Sequence, residues 1–266
     1  MTHNMNLMIL KAGMDATMDE TTWPNSSYAD VHNKFVNKKT DKGGQHVMLL
    51  DARRRYMYAY TPRHKFYEPV AGWTAMGPVE VKRVVELMNP LIKGKPQEPQ
   101  DKRKQIFEEP PHITMDNFFS GDKVMNFLGQ EGWKATMTCR RDRLPEGVPK
   151  KYFNYVKGAT VNQRSKVARF EQPILAVKHV PGNTGTETKP YTITHCTFQS
   201  TGGTNISSVN AMAEVGLYVR ERNRGRGDEK RRWAIEMNEP RDTYLKTYSA
   251  VDKIDQTLLN YDINYR

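Results

Sequence analysis

Cysteine is nearly missing: Cys139 and Cys196 are the only two among 266 residues, and neither has a CxxC neighbour. No zinc ribbon or disulfide framework can be read from them, and a reducing compartment fits. The seven histidines are scattered without an HExxH-type pair, so a helix-borne zinc site is equally unsupported. Long apolar runs are lacking too. Nothing approaches the roughly 18 apolar residues of a membrane span, and the first residues make no signal-peptide core. The sequons at Asn25 and Asn205 then read as chance matches in a soluble intracellular protein. The hydrophobic fraction of 37% is low for a compact globule, against a charged fraction of 27%. Acidic residues fall short of basic ones, 30 against 41, and the net charge of +11 points to a polyanionic partner, most simply nucleic acid. Charge alone is a weak guide, because solvated Lys/Arg faces produce the same balance.

What is present reads as an α/β chain. Residues 1–45 are polar and irregular, a lead-in segment containing Met18-Asp19-Glu20 and the turn-rich run Asn37 to Gly44. His46 to Asp51 is apolar without alternation, as a strand buried on both faces is. Tyr56 to Tyr60 follows as its partner, with a further strand at 66–70. Pro78 starts an amphipathic helix with Val81, Val84, Val85 and Met88 on one face, ending before Pro90. Lys93 to Pro111 reads as a solvated loop with no core of its own. Ile113 to Met115 is a short strand that delivers Asp116. A helix from Gly121 carries Val124, Phe127 and Leu128, and Trp133 to Cys139 is another strand. From 145 to 240, short strands between Gly/Asn/Thr-rich turns read as a β-rich insertion, which includes the basic run Arg220 to Arg232. A last helix over 248–261 places Val251, Ile254 and Leu258 on one face, with Asp252 and Asp255 together on an adjacent one.

Acids therefore stand at three places: Asp51 and Asp116 at strand ends, and Asp252 with Asp255 on the last helix. If right-handed crossovers set the first two strands side by side and parallel, both carboxylates share the sheet edge where α/β proteins bind ligands. Clustered carboxylates suit hard divalent cations, which take oxygen ligands. A pair of such ions about 4 Å apart supports in-line phosphoryl displacement. The alternative at each position is plain. Strand-end aspartates commonly cap helices or close turns, and acid pairs on helices are usually surface residues.

Met115-Asp116-Asn117-Phe118-Phe119-Ser120 resembles the second-acid motif of the piggyBac-type DDE transposases and the proteins derived from them. Ala250-Val251-Asp252-Lys253-Ile254-Asp255-Gln256 resembles their third-acid motif, in which two acids three apart precede Gln. Leu50-Asp51 resembles the end of the first-acid strand. Thr138-Cys139-Arg140-Arg141-Asp142-Arg143-Leu144-Pro145 resembles the Thr-x-Arg…Pro segment after the fifth strand. Met18-Asp19-Glu20, with Asn37-Lys38-Lys39 and Gly43-Gly44-Gln45, resembles the run before the first strand. Thr21 to Ser27 stands where the family has Phe-x-Gly-Arg, and Ala250-Val251 where it has Gly-Gly-Val.

The resemblance implies an RNase H-like mixed sheet flanked by helices, interrupted by a β-rich insertion between the second and third catalytic acids. Residues 46–144 and 241–266 are then the two parts of the catalytic domain, 145–240 the insertion, and 1–45 the remnant of a DNA-binding part. It also implies cutting and joining of DNA with two Mg²⁺ (or Mn²⁺) ions held by Asp51, Asp116 and Asp252. Asp255 is a supporting acid, and Arg140 and Arg143 contact DNA. The implied partners are transposon-end and target DNA, in the nucleus, with a homodimer as the candidate assembly. Family members continue past the third acid into further DNA-binding helices and often a zinc module, whereas this chain ends ten residues after Gln256. The expectation is a catalytic core shortened at both ends, weak or inactive alone. Its alternative is a domesticated, non-catalytic DNA- or chromatin-binding protein.

Overall fold

A computed structural model describes residues 14–24, 33–34, 42–63, 70, 72–97, 99, 101, 103–140, 143, 174–182, 189–198, 204–211, 215–223 and 230–253. The lead-in segment expected to be irregular contains the central strand, β1 (Asp15–Pro24). β1 lies between β3 (Lys42–Asp51), to which it is antiparallel, and β5 (His112–Met115), to which it is parallel. Its polar composition hid it. Ala16 and Met18 are buried on one face, and the same alternation turns Thr17 and Asp19 to the other. Thr17 is buried there because its hydroxyl has a partner, donating to the carbonyl of Thr247 at 2.7 Å.

β3 is the strand read from the sequence as covered on both faces, and Val47, Met48, Leu49 and Leu50 are all at most 5% exposed. Each such side chain removed from water contributes about 1.5–3 kcal/mol. β4 (Met57–Arg63) returns antiparallel along its outer edge, and the short β2 (Asn33–Lys34) pairs further along that edge. Beyond β5 comes β6 (Ala135–Cys139), again parallel. The strands expected in the insertion extend this sheet: β9 (Thr204–Val209) pairs antiparallel with β6, followed by β8 (Tyr191–Phe198) and β7 (Ile174–Val180). β10 (Val215–Asn223) and β11 (Lys230–Asn238) form a separate two-stranded ribbon. The expected strands at 66–70 and 167–170 fall largely or wholly outside the described residues. The expectation of an α/β chain built on a mixed sheet holds, and the described helices are few.

Helices lie on both faces. On one, α1 (Met76–Met88) and α2 (Asp122–Gln130) bury Val81, Val84, Val85, Met88, Val124 and Leu128 against Ala16, Leu49, Ile113, Met115 and Met137. Two contacts here demand glycine. A Cβ on Gly77 would stand 2.2 Å from the carbonyl oxygen of Phe118, and one on Gly129 would stand 2.2 Å from the Tyr191 ring. The loop expected to lack a core does not stay outside. Phe107 is 2% exposed, its amide bonds to the Leu91 carbonyl, and its ring meets Tyr58 edge-on. The opposite face is covered by α3 (Glu239–Thr247) and a helical segment at 250–253. There Val251 packs on Met48 and Leu50, and Tyr244 packs on Cys196 and Ile206. Thr247 Oγ1 also donates to Thr114 Oγ1 at 2.7 Å, so one residue ties α3 to both β1 and β5.

Candidate active site

The parallel register of β1 and β5 decides which acids meet. Met18 stands opposite Met115, so the next residues come side by side on neighbouring strands, Asp19 midway along β1 and Asp116 just past the carboxyl end of β5. Asp19 is two residues beyond Thr17, on the face that α3 covers. Adjacent strands are about 4.8 Å apart. The helical segment at 250–253 brings a third acid. Val251 is fully buried on the sheet, while Asp252 beside it is exposed and close enough for its charge to act on Asp19.

The electrostatics are those of crowded carboxylates. Burial raises the Asp19 carboxyl from 3.8 to about 7, and the charges of Asp116, Asp252 and Glu20 push in the same direction. A hydrogen bond from the Glu20 amide to Asp19 Oδ1 at 2.7 Å opposes them. Tyr244 reaches the same place from α3. Burial lifts its hydroxyl to about 12, helped by the nearby charges of Asp116 and Asp19 and opposed by a hydrogen bond with Thr138. At neutral pH it is therefore a proton donor.

Asp116 begins a tight turn that the Asn-Phe-Phe-Ser sequence builds. Its Oδ1 accepts from the Phe118 amide at 2.7 Å, the local turn that aspartate favours. Phe119 is fully buried, and Ser120 Oγ donates to the Asn117 carbonyl. Arg143 Nη1 donates to the carbonyls of Asn117 (2.5 Å) and Ser120 (3.4 Å), and exposed Arg140 donates from Nε to Asn117 Oδ1 at 3.3 Å. Both arginines expected at DNA thus brace the turn that carries Asp116.

Asp51 does not join this group. It lies opposite Ala16 in the β1–β3 pair, three residues back from Asp19, or on the order of 10 Å along the strand. It is also on the α1/α2 side of the sheet. Its carboxylate is 2% exposed and accepts from the amides of Arg53 (2.9 Å) and Arg54 (2.7 Å) and the hydroxyl of Tyr58 (2.8 Å). The expected meeting of Asp51 with Asp116 fails because β1 separates their strands and runs antiparallel to β3. Asp51 closes a turn, and Asp19 stands where the first acid was sought. The signal was present in the alternation Ala16-Thr17-Met18-Asp19, apolar then polar, but its polarity read as a lead-in. Asp255 lies outside the described residues.

A divalent cation needs oxygen donors, commonly one or two carboxylates completed by substrate phosphate and water. Asp19 and Asp116 meet that requirement in kind. Among the described residues, no group of three His, Cys, Asp or Glu side chains is arranged to hold a metal by itself. No helix among the described residues is long and apolar enough to cross a membrane.

By its architecture the chain is an α/β protein whose mixed sheet sets acids side by side on two central parallel strands, where β5 ends beside the middle of β1. A piggyBac transposase, in a cryo-EM structure of its synaptic complex with hairpin DNA, has a similar fold: TM-score 0.57 at 16% identity, covering 93% of this chain and 40% of that one. The family resembled in the motifs is thus also the one resembled in the fold. The chain spans about two fifths of the transposase's length. No protein-family model matches the chain, and no curated protein does.

Proposed function

We propose that the chain is the catalytic core of a transposase-like enzyme that cleaves and rejoins DNA phosphodiesters. The observation that carries this reading is the placement of Asp19 and Asp116 side by side on parallel strands, with Asp252 close enough for its charge to act on Asp19. Further support comes from the strand order β4-β3-β1-β5-β6, three antiparallel strands followed by two parallel to the first. We read this as the RNase H-like order implied by the motif resemblance, with residues 145–240 as the insertion before the third acid.

In this reading Asp19 and Asp116 would hold Mg²⁺ or Mn²⁺, with Asp252 as a third acid of the site, and bound ions would stabilise the charge that develops in the displacement. Water, or a 3′-hydroxyl, forms the new P–O bond and gives up its proton, while the P–O bond to the 3′-oxygen of the cut strand breaks and that oxygen takes up a proton. Tyr244, held protonated, donates toward the phosphate oxygens. Arg143 and Asn117 fix the Asp116 turn, and Arg140 faces the DNA backbone. Asp255 is a supporting acid, and the setting is nuclear, with a second copy as the assembly partner on two DNA ends.

The test is strand nicking and hairpin resolution on labelled DNA with 5 mM Mg²⁺, on the order of a saturating concentration for carboxylate sites. Asp19→Asn and Asp116→Asn should each lower the rate at least ~100-fold, the scale of losing a transition-state charge partner. Equal rates in wild type and both variants would end the proposal. The net charge of +11 favours a second reading, a non-catalytic DNA-binding derivative. It predicts salt-sensitive binding that neither substitution abolishes, with no nicking by any form.

A further inference from the structure

We propose that Tyr244 and Tyr248 form a stacking platform that grips an unpaired nucleobase at a DNA strand end, beside the Asp19 and Asp116 carboxylates. This rests on the nucleic-acid reading above and adds the device that seats the reacting end. The two tyrosines are one helical turn apart, linked by the Tyr248 amide to the Tyr244 carbonyl at 3.0 Å. Their rings are 5.2 Å apart and only 10° from parallel. The other ring pairs among the described residues, His46–Tyr60, Tyr56–Tyr58, Tyr58–Phe107, Trp73–Phe127 and Phe118–Phe119, meet edge-on at 63–86°. The parallel pair leaves the outer face of each ring clear of the other, so the exposed Tyr248 ring has a face to offer a planar ligand.

The inner ring is fixed. Tyr244 packs on Cys196 and Ile206, its hydroxyl bonds Thr138, and it lies within reach of the Asp116 and Asp19 charges. The outer ring, Tyr248, is 43% exposed. Lys246 on α3, which pairs with Asp242, Lys253 on the 250–253 segment and Arg140 at the end of β6 are exposed as well. A flat exposed ring on a chain of net charge +11 matches single-stranded nucleic acid, since every base has a π-face and every linker a negative charge. A base inside a duplex is already stacked on both sides and has no face to offer. The occupant is therefore an unpaired base, as at a frayed or hairpin end.

The test is titration of the whole chain, in EDTA so that nothing is cut, with a short single strand carrying 2-aminopurine at its 3′ end. Wild type should quench the fluorescence on binding, and Tyr248→Phe should keep both quench and affinity. Tyr248→Ala should lose the quench and bind at least ~10-fold more weakly, the scale of one lost base–aromatic stack. Tyr60→Ala, at a tyrosine on β4 that is 52% exposed, should change neither. If Tyr248→Ala does not fold, Tyr248→Leu keeps the bulk without the π-face and should show the same loss. Undiminished quench and affinity in these variants, or an equal response from 2-aminopurine paired within a duplex, would overturn the platform. In the wild type, a quench without any nicking in Mg²⁺ speaks against the cleavage reading alone, and nicking without any quench speaks against the platform alone.

Discussion

Replacing Asp19 with Asn tests, without any DNA, the burial of this carboxyl and the smaller push of the acids beside it. The carboxyl is raised in the folded chain from 3.8 to about 7. Below pH 3.8 both folded and unfolded states keep the proton, and the group costs nothing. As pH rises toward 7 the unfolded chain gives up the proton while the folded one holds it, so stability falls. Above pH 7 both are ionised and the loss is complete. At about 1.4 kcal/mol per pH unit, the full loss is on the order of 4 kcal/mol. Water reaching the partly buried side chain reduces this, so ~2–3 kcal/mol is expected between pH 5 and 8. Urea unfolding in EDTA across that range should show wild type losing this much more stability than Asp19→Asn. Millimolar Mg²⁺ at pH 8 should restore wild type and leave the variant little changed, because a cation removes the repulsion. Parallel pH profiles for the two proteins would refute the reasoning.

Two further substitutions separate architecture from chemistry. Gly77→Ala places a methyl 2.2 Å from the Phe118 carbonyl, so α1 or the Asp116 turn must move. A loss of about 1–3 kcal/mol in unfolding free energy is expected, with slower nicking per folded molecule. Asp51→Asn removes the charge that two amides and the Tyr58 hydroxyl bond to. Thermal unfolding should show it less stable by about 1.5–3 kcal/mol, while nicking per folded molecule stays at the wild-type rate. A selective loss of nicking would return Asp51 to the reacting group.

Much of the frame was legible from local pattern. α1 and α2 follow from apolar residues at helical spacing, and the solid apolar run of β3 announces a strand covered twice. The Asp116 turn could be read because its chemistry is contiguous: the Asp side chain bonds an amide two residues on, and Phe119 anchors the next step. β1 was not legible. Its burial depends on Thr17 finding a carbonyl more than 200 residues away on α3, a partnership that no window of sequence contains. Arg140 and Arg143 carried a charge signal, but that Asn117 and Ser120 take up their donors is a contact across the β5–β6 pair.

The sequence by itself determined that this is a basic α/β chain, that Asp116 ends a strand in a built turn, and that Asp252 rides beside an apolar anchor, Val251. Each of these rests on residues within a few positions of one another. Which acid stands beside Asp116 was decided only by tertiary structure. Strand direction and order set it, since inserting β1 between β3 and β5 puts Asp51 at the far end and opposite face and brings Asp19 beside Asp116. A one-strand difference in pairing exchanges a buried turn-closing carboxylate for a crowded one, and pairing is set by the energy of the whole sheet.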